Sequence, residues 1–454
     1  MVSKADTKPS LLDALTVIFY FFRYRWILNF KSKEKLQSWQ TKKLNIFLKS
    51  TLKKAEYYQS FFAEKLIDLP YMNKSTMMES FSARNTRGIG LGQALLVAKN
   101  AEQSRNFKPT INGITVGMSS GTSGKPGVFL ISKQERLKWA GILLAKTLPP
   151  VLLQQILLPW RAPLRIAFFL RANSNLYDTL NSRRIDFQFF DLLAGLEKSV
   201  TPLNAQQPHA LVAPATVLRH LALAKINGSL TISPVHIVNV AEVLEASDSE
   251  LIEHAFGVFP HQIYQATEGF LAYSCELGNL HLNETHLLIE REWLDENSGR
   301  FQPVITDFSR TTQLIVRYKL NDILQAAEKS CLCGRAETTL AAIEGRADEI
   351  LWLPAVSSEK LQPIYPDILR RAMMLLDPGV QEYSIRQHGL LWTICFVCLT
   401  VRQEMESAIL LCLKKLCVDN QWQQPQLAFD HWRPGALDAK RRRLICEKIP
   451  EENQ

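Results

Sequence analysis

The spacing of apolar residues divides the chain into stretches of different secondary structure. Up to about residue 80, apolar positions recur at helical spacing and glycines are few, which predicts helices. From about residue 160, short apolar runs alternate with helical stretches. This order predicts a largely parallel sheet with helices on both faces. The predicted strands of that sheet are 164–170, 185–190, 209–212, 235–240 and 262–264.

The pattern changes after residue 280. Short apolar runs at 285–290 and 313–318 predict an antiparallel sheet or a small barrel. After Asp348, strands and a helix at 403–417 predict a small α+β domain. The predicted fold class is therefore α/β, with a large domain of mostly parallel sheets, a small barrel-like subdomain and a small α+β C-terminal domain. We expect the boundaries to separate a basic helical segment at 1–80, a core at 81–346 and a C-terminal domain at 347–454.

Composition and charge narrow the function classes. The chain of 454 residues is 46% apolar and 21% charged, which is typical of a globular protein. Its net charge is +9, and residues 1–60 alone contain twelve Lys or Arg against four Asp or Glu. A nucleic-acid-binding protein usually carries its basic face on the functional domain, so we expect no nucleic-acid partner. Eight cysteines without a short secreted framework favour a reducing compartment, and we expect a cytoplasmic location.

The basic N-terminal segment contains an apolar run at 14–22, followed by Arg23, Arg25, Lys31 and Lys33. The run is shorter than the roughly 20 residues that span a bilayer, and it lacks the cleavage site of a signal peptide. Two interpretations remain. The segment is either a helix packed on the main domain, which we favour, or an amphipathic helix in peripheral contact with an anionic membrane.

A loop rich in glycine and hydroxyl groups follows a predicted strand at 114–117. It reads Ser119-Ser120-Gly121-Thr122-Ser123-Gly124-Lys125-Pro126-Gly127. Glycines let backbone N–H groups point into one concavity, hydroxyls add donors, and Lys125 adds positive charge. The loop is not a Walker A loop, because Ser119 and Pro126 stand where that pattern requires Gly and Ser or Thr. A flexible linker is the alternative, but the amphipathic stretch 130–148 that follows favours a phosphate-binding loop.

The loop resembles the phosphate loop of the adenylate-forming superfamily, which includes acyl-CoA synthetases, peptide-synthetase adenylation domains and aryl-acid ligases. Three further segments match that superfamily in the same order: 264–269 resembles its adenine and metal motif, 317–322 its ribose motif and 345–349 its hinge. The Cys-x-Cys-Gly-Arg element at 331–335 is similar to one carried by phenylacetate-CoA ligases and by deazaflavin-cofactor adenylating synthetases.

The resemblance implies an ATP site in the core. Glu268 would hold Mg2+ on the ATP phosphates, since Mg2+ prefers hard oxygen ligands. Tyr264 would stack on adenine and Asp322 would accept hydrogen bonds from the ribose hydroxyls. For Glu268 the alternative is a surface turn, which its position after a strand disfavours. Taken alone, Tyr264 is more often a core aromatic, and Asn321-Asp322 is equally typical of a turn. The remaining cofactor-binding residues would be Ser119, Ser120, Gly121, Thr122, Ser123, Gly124, Lys125, Gln265, Thr267 and Arg346, with Thr122 and Glu268 also catalytic.

The resemblance also implies a mobile lysine near the C-terminus. Lys440 would stabilise charge on the transferring phosphoryl group, and Arg443 would match the arginine of the family pattern. Ala439 stands where the family has glycine, and a solvated basic run is the alternative interpretation. The C-terminal domain would then turn about a hinge at Asp348.

A metal site is predicted from the cysteines. Cys275, His281, Cys331 and Cys333 provide three thiolates and one imidazole, a closed tetrahedral set for structural Zn2+. Separate buried cysteines are the alternative. Cys395 and Cys398 lie three apart in a predicted strand and face opposite sides, so we do not expect them to share a metal.

The implied function is ATP-dependent activation of a carboxylic acid as its AMP ester. The resemblance favours a small aromatic acid, with transfer to the thiol of CoA or of phosphopantetheine on a separate acyl carrier protein. Acid specificity would depend on Asn239, Ala241, Glu242, Arg171 and Asn173. Two alternatives stay open: adenylyl transfer to a hydroxyl of a cofactor-like substrate, and a non-catalytic nucleotide-binding protein.

Overall fold

A computed structural model describes most of the chain. The described residues are 2–3, 10–61, 65–104, 106, 109–118, 127–158, 160–170, 182–192, 195–358, 360–374, 376, 380–433 and 442–450. Residues 119–126 of the glycine-rich loop, Arg171, Asn173 and Lys440 lie outside them, so their proposed roles stay predictions.

The described residues up to about 80 are largely helical, as the apolar spacing predicted, and one further helix lies beyond that stretch. The helices are α1 (Leu11–Phe22), α2 (Lys33–Ile46), α3 (Lys74–Glu79) and α4 (Leu91–Ser104). Five-residue π-helical turns follow α1 at Arg23–Ile27 and α2 at Phe47–Thr51. Among the described residues, no helix combines the length and the hydropathy that crossing a bilayer requires.

A small antiparallel sheet precedes the main one. Its strands, in spatial order, are β1 (Val2–Ser3), β2 (Thr110–Ile111), β3 (Ile114–Met118) and β4 (Val128–Ile131). The stretch predicted as one amphipathic element at 130–148 is divided, because β4 occupies its start and α5 (Lys133–Thr147) the rest. The division falls at Ser132, which forms a capping box with Glu135 at the start of α5.

Five parallel strands form one half of the main sheet and confirm the five predicted. They are β5 (Leu164–Leu170), β6 (Ile185–Asp191), β7 (Ala210–Ala213), β8 (His236–Val240) and β9 (Pro260–Ala266). Helices cover both faces. Ile166 and Phe168 pack toward α5 and α6 (Pro150–Leu157), whereas Ala167 and Phe169 pack toward the other layer. That layer contains α7 (Glu197–Gln206), α8 (Ala215–Ile226) and α9 (Ala246–Phe256).

Antiparallel strands extend the same sheet beyond β9. They are β10 (Gly269–Ser274), β11 (Leu280–Leu282), β12 (Leu287–Asp295), β13 (Arg300–Asp307), β14 (Tyr318–Lys319), β15 (Asp322–Ala326) and β16 (Thr339–Arg346). The antiparallel strands expected after residue 280 therefore continue the parallel sheet, which has twelve strands. The predicted strand 313–318 is reduced to a single bridge at Gln313, followed by β14. Arg317 interrupts it, because its φ of 45° is left-handed.

The chain after β16 forms a smaller α+β unit. A 3-10 turn at Ala347–Glu349 leads into a hairpin of β17 (Leu351–Pro354) and β18 (Leu361–Ile364). A four-stranded sheet follows, with β19 (Val380–His388), β20 (Leu391–Cys398), β21 (Gln426–His431), β22 (Leu444–Lys448), and helices α10 (Pro366–Met374) and α11 (Arg402–Asp419). This unit has its own core around Trp392, Ile394 and Ile409, and α11 confirms the helix predicted at 403–417. The hinge and the exact domain boundaries stay predictions.

Candidate active site

A cleft of about 1820 Å³ opens where β9 turns into β10. Ligands of open α/β sheets bind outside the carboxyl ends of parallel strands, and β9 ends here. The cleft brings together all the predicted nucleotide-binding residues that the structure describes, namely Tyr264, Gln265, Thr267, Glu268, Asp322 and Arg346. Residues that are far apart in the sequence therefore share one site.

Asp322 lies next to two other predicted site residues, Tyr264 and Arg346. The Tyr264 hydroxyl donates a hydrogen bond to Asp322 Oδ2 at 2.5 Å, and Arg346 Nε lies 3.9 Å from Asp322 Oδ1. Asp322 and Arg346 are directly opposite in the β15–β16 pair. Burial raises the pKa of Tyr264, and the negative charge of Asp322 adds to this, so Tyr264 is a neutral donor. The contact between Tyr264 and Asp322 was not expected from the sequence.

Glu268 lies in the two-residue turn between β9 and β10. The Thr267 hydroxyl donates to Glu268 Oε2 at 2.8 Å, and the Tyr318 hydroxyl also forms a hydrogen bond with Glu268. Lys74 lines the same cleft, where burial lowers its pKa and the charge of Glu268 opposes that shift. Lys74 was missed by sequence reasoning, since it belongs to no motif.

The turn carrying Glu268 is held from behind by a series of hydrogen bonds. Arg310 Nη2 donates to the Thr267 carbonyl at 2.9 Å. The next two residues, Thr311 and Thr312, donate backbone N–H groups to Glu135 Oε1 at 2.6 and 2.9 Å. The other oxygen of Glu135 caps α5, so one carboxylate links the helix to the loop behind the turn. Of these contacts, only the Ser132–Glu135 capping box can be recognised in the sequence.

The chain next to Lys440 reaches the rim of the cleft. Arg442 Nη2 donates to Asp348 Oδ2 at 2.7 Å, and Asn321 Nδ2 donates to Asp348 Oδ1 at 2.8 Å. Arg443 is buried and donates from Nε to Glu245 Oε1 at 2.6 Å. Arg442 and Arg443 both line the cleft, so the segment that follows Lys440 lies at the site.

The part of the cleft next to the parallel strands is mostly apolar. Its wall includes Trp139, Ile142, Leu143, Phe168, Ile263 and Phe270. Asn239 donates from Nδ2 to the Glu242 carbonyl at 2.8 Å, and its Oδ1 has no hydrogen-bond partner among the described residues. Glu242 accepts hydrogen bonds from the backbone and hydroxyl of Thr216, each at 2.8 Å, at the start of α8. Glu242 is therefore engaged in holding α8.

A buried histidine lies in the same wall. His286 is 4% exposed, and burial lowers its pKa to about 3, with a further contribution from Lys138. Its imidazole is neutral at physiological pH, and Nδ1 has no hydrogen-bond partner among the described residues. His286 was not singled out in the sequence, since a lone histidine beside an apolar strand carries no motif.

The four predicted zinc ligands come together in the structure. The ligand atoms of Cys275, His281, Cys331 and Cys333 all lie within 4.8 Å of one another. Cys275 Sγ is 3.8 Å from Cys331 Sγ, and Cys333 Sγ is 3.4 Å from His281 Nε2. Zn–S bonds of about 2.3 Å place tetrahedral thiolates about 3.8 Å apart, so the cluster has the dimensions of a zinc site. Cys395 and Cys398 belong to no such cluster in the described part of the chain.

The surroundings of this cluster orient its histidine. His281 Nδ1 is 3.1 Å from the Glu337 carbonyl, which leaves Nε2 facing the thiols. The buried Glu337 carboxylate accepts hydrogen bonds from Lys146 at 2.8 Å and from the Tyr273 hydroxyl at 2.5 Å. Burial raises the pKa of Cys275 to about 12, and a bound cation would have to overcome this to ionise the thiol.

Comparisons with known proteins were made by sequence and by structure. No family model matches the chain, and no curated protein matches it. A solved structure of 2-hydroxyisobutyryl-CoA ligase, in the postadenylation state with 2-HIB-AMP, matches with a TM-score of 0.62 and 17% identity over 91% of this chain and 89% of that one. The GH3.15 acyl acid amido synthetase matches with a TM-score of 0.59 and 13% identity over 100% of both chains. The protein has the fold of the adenylate-forming enzymes, as the motifs predicted.

Proposed function

We propose that this protein uses ATP and Mg2+ to activate a carboxylic acid as its acyl-AMP. The observation that carries the proposal is the convergence of Glu268 and Asp322, 54 positions apart in the sequence, on one cleft with an apolar wall. A carboxylate for the metal and one for the ribose are the two acidic groups that an ATP site of this class needs.

Each proposed residue acts on a different part of ATP. The substrate carboxylate attacks the α-phosphate and pyrophosphate leaves, which concentrates negative charge on the phosphoryl oxygens. Loop 119–127 and Lys440 would stabilise that charge, with Thr122 donating a hydroxyl hydrogen bond. Glu268 would hold Mg2+, which neutralises phosphate charge when bound. Asp322 and Arg346 would position the ribose, and Tyr264, Gln265 and Thr267 the adenine side of the site.

The acid would be aromatic. The supporting observation is the wall of aromatic and aliphatic side chains beside β5, β9 and β10. A flat apolar ring fits such a wall, and a ring hydroxyl or amine would satisfy His286 Nδ1 or Asn239 Oδ1. Of the other specificity candidates, Ala241 and Glu242 both line the cleft, and Glu242 Oε2 accepts hydrogen bonds from Thr216.

The acceptor would be the thiol of CoA or the phosphopantetheine of a separate acyl carrier protein.

The Cys275–His281–Cys331–Cys333 cluster would hold a structural Zn2+, because a closed set of four ligands leaves no position for substrate. The interatomic distances of the cluster support this assignment.

A pyrophosphate-exchange screen over aryl, fatty and amino acids tests the proposal. Exchange that depends on one aryl acid supports acid activation. If none of the acids supports exchange, the proposal is contradicted. Acceptors are then compared: CoA, carrier-protein phosphopantetheine, and amines, because the fold is shared with an amido synthetase. A product that keeps its AMP on a hydroxyl would instead indicate adenylyl transfer, and ATP binding without any product would indicate a non-catalytic protein.

A further inference from the structure

One face of the N-terminal helix packs tightly on the core. Four residues of α1 and the π-helical turn Arg23–Ile27 face α5, namely Val17, Tyr20, Phe21 and Tyr24. Gly141 of α5 allows the close approach, since a Cβ there would lie 2.7 Å from both Tyr20 Cβ and the Val17 carbonyl. The helix is therefore seated on α5 by its inner face, as one of our two interpretations of the sequence expected.

Polar contacts fix both ends of this helix on α5. Lys133 Nζ lies 2.8 Å from Asp13 Oδ2 near the start of α1. Arg25 Nη1 donates to the carbonyls of Ala145 and Leu148 at 3.0 and 2.7 Å, near the end of α5. Because the inner face is held in this way, the orientation of the outer face is fixed as well.

The outer face of α1 is apolar and exposed. Six large side chains on it are between 45% and 78% exposed, namely Leu11, Leu12, Leu15, Ile18, Phe19 and Phe22. Trp26 and Ile27 extend the face into the π-helical turn, at 51% and 69% exposure. The one charged residue of α1, Asp13, is on the inner side and buried. An exposed face of eight large, mostly apolar side chains indicates a binding surface.

The sequence that follows this face is basic. Lys31, Lys33 and Lys35 follow the π-helical turn closely and are exposed. Lys31 Nζ donates to the Cys333 carbonyl at 3.0 Å, next to Leu332, which is 95% exposed. Lys33 Nζ lies 3.4 Å from Glu284 Oε2, so Lys31 and Lys33 are held on the core while part of the basic excess of residues 1–60 directly follows the apolar face in the sequence.

We propose that the outer face of α1 binds the surface of an anionic lipid bilayer. The helix would lie along the bilayer, with its apolar side chains among the acyl chains and its lysines at the headgroups. Two observations favour lipid over protein. Of the eight side chains on this face, only Trp26 can form a hydrogen bond, through its indole N–H, whereas protein interfaces have about one hydrogen bond per 100–200 Å². A second copy of the chain would bring two basic segments together and repel.

Sedimentation of the full-length protein with sucrose-loaded vesicles tests the proposal. The vesicles contain phosphatidylcholine, with or without about 30% phosphatidylglycerol. Wild-type protein should bind the phosphatidylglycerol vesicles, and less so as salt rises. Leu15→Asp/Phe19→Asp should lower the partition coefficient by about tenfold or more. The matched control, Leu411→Asp/Val418→Asp, changes two exposed side chains of α11 and should bind like wild type.

Folding of the variant is checked separately. Leu15 and Phe19 are 52% and 56% exposed, so the thermal midpoint of the double variant should stay at the wild-type value. The proposal is overturned if wild-type protein does not pellet with phosphatidylglycerol vesicles, or if the α1 variant binds as wild type does. It is also overturned if wild-type protein is a dimer that the α1 substitutions convert to a monomer, because the face then belongs to a second copy.

Discussion

The Tyr264 hydroxyl and the Asp322 carboxylate are hydrogen-bonded at 2.5 Å, although the residues are 58 positions apart. The contact joins the end of β9 to the start of β15 and occupies one carboxylate oxygen. An ionised carboxylate has about four acceptor sites, so Asp322 retains capacity for ribose hydroxyls. Tyr264 would then hold the carboxylate in place as well as contact the nucleotide.

This arrangement predicts unequal effects of two substitutions. Asp322→Asn should raise the KM for ATP about tenfold or more, since hydrogen bonds to a charged acceptor contribute about 1.5–3 kcal/mol. Tyr264→Phe keeps the ring and the charge of Asp322, so it should raise that KM less. Steady-state pyrophosphate exchange at varied ATP measures both. If Tyr264→Phe raises the KM for ATP as much as Asp322→Asn or more, Asp322 is wrongly assigned as the ribose contact.

Glu268→Gln should abolish pyrophosphate exchange, because an amide oxygen lacks the charge that Mg2+ requires of its few protein ligands. The fold should survive, since Glu268 lies in a surface-accessible turn lining the cleft. Glu296→Gln is the control, because Glu296 is an exposed glutamate in the turn between β12 and β13. Undiminished exchange in the Glu268 variant, with a thermal midpoint like that of wild type, would remove its assigned role.

The central parallel strands β5, β7 and β8 could be predicted because they are largely buried and appear as mostly apolar runs. Site residues could be predicted only where they belong to a sequence motif, as Glu268 and Asp322 do. Arg310 and Lys74 were missed, since their roles arise from contacts with residues that are distant in sequence. The strand at 313–318 was overpredicted because apolar spacing does not report the left-handed backbone at Arg317.

Lys440→Ala should slow acyl-AMP formation by about 100-fold or more, because it removes positive charge from the transition state. Transfer to a thiol from preformed acyl-AMP should change much less, since that step does not need the same charge. Lys448→Ala, at the end of β22, is the control for loss of a lysine from the C-terminal unit. Adenylation at the normal rate in the Lys440 variant would mean that another residue supplies the charge.

Glu135→Gln should lower the thermal midpoint at neutral pH, by an amount equivalent to about 1 kcal/mol. Burial raises the pKa of Glu135, but its hydrogen bonds from Thr311, Thr312 and Ser132 outweigh this and hold the pKa below its usual value. The carboxylate therefore stabilises the fold above its ordinary pKa of about 4.3, and that contribution is lost as the pH falls below it. The difference between variant and wild type should shrink in acid.

Thermal unfolding at several pH values measures this dependence. Glu404→Gln is the matched control, because Glu404 is an exposed glutamate in the first turn of α11. The control should show a smaller difference at neutral pH, since its side chain makes no capping hydrogen bond of the Glu135 kind among the described residues. A Glu135 difference that does not change with pH would contradict the assigned charge effect.

Purified protein should contain about one equivalent of zinc, because Cys275, His281, Cys331 and Cys333 are held at zinc-site distances. Cys333→Ser should lower the zinc content, whereas Cys395→Ser should not, because Cys395 lies in β20 away from the cluster. Metal loss should loosen the loops that carry the ligands without unfolding the protein, since several separate cores remain.

Cys331 and Cys333 follow β15, which begins with Asp322, so ATP binding should weaken in the Cys333 variant. Elemental analysis with matched ATP titrations measures both effects, and zinc-free protein with intact ATP binding would rule the metal site out.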